Sequence, residues 1–288
     1  MKGEKNYNKF LVVAKNDAMR AKWPYSELEQ KISALIISVI NPKDEKFKEY
    51  IFKTAQILRL FKMGEKNYEN LYRVTENLLR NPITIQTPEG ELYQANIIAD
   101  AYYSKDKSTV RFTIAEIMKG YLLQLQDGQY TKFYLENIIG LSSKHSIAMY
   151  RFCKSYEFQK CVTKNIEELK FSLGIDSNEY ENFYDFNKWV LKVSQKELEE
   201  KTDVKFSYQT ETKRKKVIKL TFTINWNPQL EEKLNLAEQL KILAEMNVRE
   251  KAENVTVIKT EIEKKKASEI RKEITESLNT KRQKETGN

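Results

Sequence analysis

Residues 180–224 read YENFYDFNKWVLKVSQKELEEKTDVKFSYQTETKRKKVIKLTFTI, and the period of the pattern changes partway along. On a 3.6-residue wheel Phe183, Phe186, Trp189, Val190, Leu191, Val193 and Leu198 fill one broad arc. Asp185, Lys188, Lys192, Gln195, Lys196 and Glu199 occupy the opposite one, so the first half is expected to be a helix docked through its apolar side. From Val204 the period becomes 2: Val204, Phe206 and Tyr208 alternate with polar residues, as do Ile218, Leu220, Phe222 and Ile224. Between the two strands lies Glu211-Thr212-Lys213-Arg214-Lys215-Lys216, a hairpin tip with four cations in a row. A helix with a basic outer face followed by a hairpin with a basic tip has the makings of a recognition helix and a wing. The helix would enter a major groove while the wing holds neighbouring phosphates. The plainer reading, a solvated surface helix and a turn kept soluble by its lysines, loses ground once the charge of the whole chain is added.

Whole-chain composition narrows the classes. Length of 288 residues fits two ordinary domains. An apolar fraction of 40% and a charged fraction of 32% leave much of the chain as solvated surface. Net charge +9 and a pI near 9.1 favour a polyanionic partner. No apolar run long enough to span a bilayer occurs, and MKGEKNYNKF does not resemble a signal peptide, so no membrane association and a cytoplasmic location are expected. Two cysteines, Cys153 and Cys161, and one histidine, His145, cannot make a zinc cluster; no metal and no cofactor are expected. The cysteines read as buried or half-buried free thiols, and His145 as a surface or phosphate-facing residue at a helix N-terminus. A lone histidine also excludes nicking chemistry, which needs a histidine pair on a metal, and no phosphate-binding Gly-x-x-x-x-Gly-Lys loop is present. The expected protein is therefore not an enzyme.

In chain order, residues 1–24 read as an N-terminal arm. Ser26 and Glu29 have capping-box spacing ahead of Leu28, Ile32, Leu35, Ile36, Val39 and Ile40. Thr54 is expected to cap a helix over 55–61, and Asn67 to start another. Ile83–Gln86 and Leu92–Tyr103 flank the turn Thr87-Pro88-Glu89-Gly90, Thr109–Phe112 follows, and a helix closes the unit over 115–125. A second unit repeats the plan with helices over 132–139, 143–157 and 166–173, the last closed by Gly174. The fold class expected is α+β: two winged helices in tandem, over 25–127 and 128–225. Residues 226–288 are then a Glu/Lys-rich tail, helical or partly disordered, with short stripes at Leu236-Leu240-Leu243 and Ile270-Ile274-Leu278.

Several ordered segments carry a resemblance: Tyr130–Leu141, Ser143–Arg151, Ile166–Lys170 and, most strongly, Tyr180–Asp203 with Asp185-Phe186, Val190-Leu191 and Lys201-Thr202-Asp203. Together they resemble plasmid replication initiators of the Rep_3 superfamily, which bind iteron repeats. The likeness runs over about 10–225 and leaves the tail unmatched. It implies that the second winged helix binds double-stranded DNA through Tyr184, Asn187, Lys188, Lys192, Gln195 and Lys196, with Lys213, Arg214, Lys215 and Lys216 on the backbone. It also implies dimerisation through the first winged helix, auxiliary DNA contact there, origin opening and recruitment of host replication proteins. Asn187 and Trp189 depart from the family by standing where basic residues are common, and Ala148 replaces a frequent arginine. A winged-helix transcriptional repressor without an initiator role remains the alternative; direct rather than inverted repeats beside the gene separate the two.

Overall fold

The computed structural model describes residues 10–64, 67–125 and 129–227; the tail from residue 228 lies outside them. The chain opens with β1 (Leu11–Lys15) and the short α1 (Asn16–Met19), and after Pro24 enters α2 (Glu27–Ser38). The capping box is formed: the Ser26 amide donates to Glu29 Oε2 at 2.8 Å and the Glu29 amide to Ser26 Oγ at 3.4 Å. β2 (Tyr50–Lys53), α3 (Thr54–Leu60) and α4 (Tyr68–Arg80) follow. β3 (Ile83–Gln86) and β4 (Leu92–Ala95) form a hairpin, with Gly90 at φ +90°, a conformation that favours glycine. β5 (Ile98–Tyr103), β6 (Thr109–Ile114) and α5 (Lys119–Leu122) complete the first half. The second half runs β7 (Tyr130–Tyr134), α6 (Glu136–Ile139), α7 (Lys144–Ser155), β8 (Cys161–Asn165) and α8 (Ile166–Ser172). α9 (Phe183–Phe186) continues through a π-helical turn, Asn187–Leu191, into α10 (Lys192–Lys201), and β9 (Val204–Lys213) and β10 (Lys216–Trp226) end the described chain.

Two three-stranded antiparallel sheets have equivalent strand orders, β2-β6-β5 and β8-β10-β9. Each is preceded by a helix (α2, α7), and each has two further helical segments between its first and second strands. The architecture is two winged helices in tandem. Aromatic pairs fill both cores: Phe52 and Phe112 lie 5.6 Å apart in the first, Phe152 and Phe222 5.4 Å apart in the second. All four are buried, and burying such a side chain stabilises by about 1.5–3 kcal/mol.

Departures from expectation have a common cause, pairing with residues far away in sequence. The segment expected as an arm over 1–24 is core from Phe10 onward, because β1 pairs antiparallel with β7, Leu11 opposite Tyr134, and buries Val12 and Ala14. β7 is in turn the start of the helix expected over 132–139; Thr131 and Phe133 point inward at period 2, and only Glu136–Ile139 is helical. Leu92–Tyr103 is two strands in separate sheets rather than one. Thr54 does not cap α3. Its hydroxyl donates instead to the carbonyls of Lys107 and Ser108, at 2.6 and 3.1 Å, and so ties the helix to the β5–β6 turn. The closing helix shrinks to a 3-10 turn plus α5.

Residues 19–25 also bind the second winged helix. The Arg151 guanidinium is buried, donates to the Met19 carbonyl at 2.9 Å and lies 3.9 Å from the Trp23 ring centre. Burial lowers its pKa to about 9. Gly174 (φ +70°) ends the α8 segment as expected, and a Cβ there would come within 2.3 Å of the Trp23 carbonyl oxygen. Lys22 pairs with Asp176 beside it.

Candidate nucleic-acid interface

Asn182 starts the long helix: its Oδ1 accepts from the Asp185 amide at 2.8 Å. Phe186, Val190, Leu191, Ser194 and Leu198 face the core. Trp189 does not, although the wheel placed it there. Trp189 lies at the edge of that broad arc and within a π-helical turn, Asn187–Leu191. Val190 and Leu191 keep the core, and Trp189 turns out to solvent with 53% of its surface exposed.

Tyr184, Lys188, Lys192 and Lys196 are exposed on this helix. The Lys188 ammonium lies 4.5 Å from the Trp189 ring centre and 5.9 Å from that of Tyr184, so one cation holds both rings. Lys192 sits 5.5 Å from the Tyr208 ring and donates to Gln195 Oε1 at 3.2 Å. Asn187 and Gln195 both engage β9 in this arrangement. Tyr208 donates its hydroxyl to Asn187 Oδ1, and Gln195 Nε2 donates to the Phe206 carbonyl at 3.0 Å. Both residues bolt the helix to β9. Acidic residues gather in the last turns: Glu197 accepts from the Ser142 and Ser143 amides at 3.0 and 3.2 Å and from Lys201 at 2.7 Å, while Glu199 and Glu200 are exposed. The central turns, with Lys188, Lys192 and Lys196, are therefore the cationic part.

The wing is longer than its sequence indicated. β9 and β10 pair as far as Lys213 opposite Lys216, so the tip is only Arg214-Lys215. The exposed part Gln209–Lys213 extends the hairpin by roughly 16 Å, at about 3.3 Å per residue. Arg214 and Lys215 have φ +50° and +65°, the left-handed pair of a two-residue hairpin turn that Asn-Gly ordinarily fills. Lys213, Arg214, Lys215 and Lys216 are all exposed, and none has an ion-pair partner among the described residues.

His145 is buried at the start of α7 rather than on the surface, with Nε2 3.2 Å from the Tyr180 hydroxyl. Burial, helped by the Lys144 charge, lowers its pKa to about 4, so it is neutral at pH 7 and brings no charge to a phosphate. Cys153 is buried, but Cys161 is exposed on the edge strand β8; both are free. Among the described residues no helix is long and apolar enough to cross a membrane.

Two winged helices, the second with unpaired cations along its long helix and at the tip of its wing, define a tandem winged-helix protein. Residues 11–154 match the family described as initiator replication protein, WH1, and residues 165–224 the family described as initiator Rep protein, WH2. The chain belongs to this replication initiator family. The chain is similar to a replication initiation protein of Escherichia coli, 27% identical over 209 residues, which is 68% of this chain; it spans 64% of that relative. Its fold is similar to that in the crystal structure of the Pi initiator protein in complex with iteron DNA. The TM-score is 0.63 at 19% identity, over 77% of this chain and 99% of that one.

Proposed function

We propose that this chain is a sequence-specific, double-stranded DNA-binding replication initiator that binds origin repeats and promotes origin opening, acting by binding alone with no chemical step. The observation that carries the reading is the joint geometry of the long helix and the wing. Lys188, Lys192 and Lys196 run along one helix face, and four more cations stand at the end of a ten-residue strand pair beside it. Tyr184 belongs to the reading face; Asn187 and Gln195 act by locking helix to wing. Relatives of the family, one of them solved on iteron DNA, support the choice of repeat DNA as partner.

In this reading residues 128–225 make the main DNA contact and residues 25–127 hold dimers. Exposed Leu92, Tyr93, Tyr102 and Tyr72 give the first unit an apolar surface for self-association. Residues 229–288 contact host replication proteins or stabilise self-assembly. Titrating the full chain with duplex DNA flanking its own gene, at several salt concentrations, tests the reading. Neutralising about six phosphates gives a log–log slope of about −5, and a slope near zero on repeat DNA overturns it.

A further inference from the structure

An exposed tryptophan in a lysine-rich face is costly unless something covers it. Trp189 is 53% and Tyr184 70% exposed, and the two rings are joined through the Lys188 ammonium into one patch in the middle of the cationic face. Trp189 sits within the π-helical turn Asn187–Leu191. Such a turn carries a backbone penalty and is enriched where a side chain must be re-aimed for use. Lys192 follows Trp189 by three residues and Lys196 by seven, so the patch shares its face with the groups that would straddle a phosphate backbone. The position is thus apolar, preorganised by a cation, and set where a helix in the major groove meets base edges.

The floor of the major groove offers polar edges at every base pair and one apolar group, the C5-methyl of thymine. We propose that Trp189, with Tyr184 beside it, is a specificity-determining residue that reads thymine methyls in the recognised repeat. Lys188 positions both rings. The inference rests on the reading of this chain as a duplex-DNA binder and adds the chemistry of the bases it selects. It accounts for a large apolar side chain at this point of the helix, which phosphate binding does not. Each methyl buried against an aromatic face contributes about 0.8 kcal/mol, a factor of roughly four in affinity, and two such contacts give about tenfold to twentyfold.

The test uses the full chain and a duplex fragment from the DNA flanking its own gene, made either with thymine or with uracil at every thymine position. Uracil lacks only the methyl; every hydrogen-bonding group in the groove is unchanged. The native chain is expected to bind the uracil duplex about tenfold more weakly. Trp189→Ala is expected to lose a similar factor on thymine DNA and to bind both duplexes alike, with an unchanged salt slope. Trp189→Leu, which keeps apolar surface, is expected to retain part of the preference. Trp189 lies outside the core, so its truncation leaves the folding unit intact, and an unaltered thermal midpoint checks this. Equal binding of both duplexes by the native chain overturns the inference and leaves duplex recognition standing. So does a Trp189→Ala chain that still discriminates, or that loses single-strand binding only, which would mark Trp189 as a platform for unpaired bases. Absence of any duplex binding overturns both this inference and the function it rests on.

Discussion

The two winged helices share a strand order and differ in what they do with charge. In the first, the helix before the wing, α4, balances its own charge: Glu69 and Glu76 stand against Arg73 and Arg80, and Arg80 pairs with Glu76 at 2.7 Å. Its wing turn sets Asp106 between Lys105 and Lys107, the carboxylate accepting from the Ser104 hydroxyl at 2.6 Å and from the Ser108 hydroxyl at 2.9 Å. In the second, Lys188, Lys192 and Lys196 have no acidic partner among the described residues, and the wing tip concentrates four cations. One topology supports two surfaces because a winged helix fixes where a helix and a hairpin stand, not what they carry. The first presents apolar side chains such as Tyr72 and Tyr102, suited to another protein surface; the second presents unpaired positive charge, suited to a polyanion.

The strongest way to break this contrast is to move the charge. Replacing Lys213, Arg214, Lys215 and Lys216 together with alanine should flatten the salt slope by about 3.6, roughly 0.9 per lost phosphate contact, and weaken all sequences alike. Alanine at Lys105 and Lys107 in the first wing should leave the slope nearly unchanged. Equal effects of the two sets in a salt titration would mean that the domains divide the DNA evenly.

The first helices of the two units should part company in acid. α2 is capped by its own Ser26 and Glu29, whereas α7 begins beside a buried neutral histidine. His145 has a folded value of about 4 against an ordinary 6.5. Between those values the unfolded chain takes up a proton that the folded chain refuses. Its contribution is therefore complete above pH 6.5 and is lost as pH falls towards 4, by about 2–3 kcal/mol. Denaturant unfolding at pH 7.5 and 4.5 should show the loss in the native chain, and His145→Gln should shrink the difference between the two conditions. A variant as acid-sensitive as the native chain would assign the loss elsewhere.

Base reading and phosphate holding can be separated within the second unit. Lys188→Ala should weaken binding to the cognate repeat by about 1–3 kcal/mol and affect random DNA far less, measured by competition at fixed salt. A uniform loss would place the long helix outside the groove. The smallest effect expected is on the turn itself. Arg214→Asn with Lys215→Gly fills the left-handed positions with residues that favour them and should raise stability by about 1 kcal/mol while lowering DNA affinity. Gain in both would show that the strained cations are not there for phosphate.

Local order was legible from the chain alone. The capping box at Ser26 and Glu29, the termination at Gly174, the switch of period at Thr202-Asp203 and the alternation of Phe206 with Tyr208 and Phe222 with Ile224 all follow from neighbours within a few residues. Dihedral preferences and side-chain spacing act over just that range. So the tandem plan and the cationic tip could be read in advance, and the ordered series of segments pointed to the family. Tertiary structure decided the rest. β1 and β7 are strands because they find each other across more than a hundred residues, and neither shows a strand's length or flanks by itself. Gln195 lies on the expected polar arc and Asn187 was named by the resemblance, yet the Phe206 carbonyl and Tyr208 engage them once β9 folds back. Trp189 stands at the edge of the broad apolar arc, where a wheel does not separate core from surface. The single sign of an outward place was that a tryptophan stood where relatives commonly have a basic residue. Phe186, Val190, Leu191, Ser194 and Leu198 take the places against the core and leave Trp189 outward, a choice set by packing and invisible to periodicity.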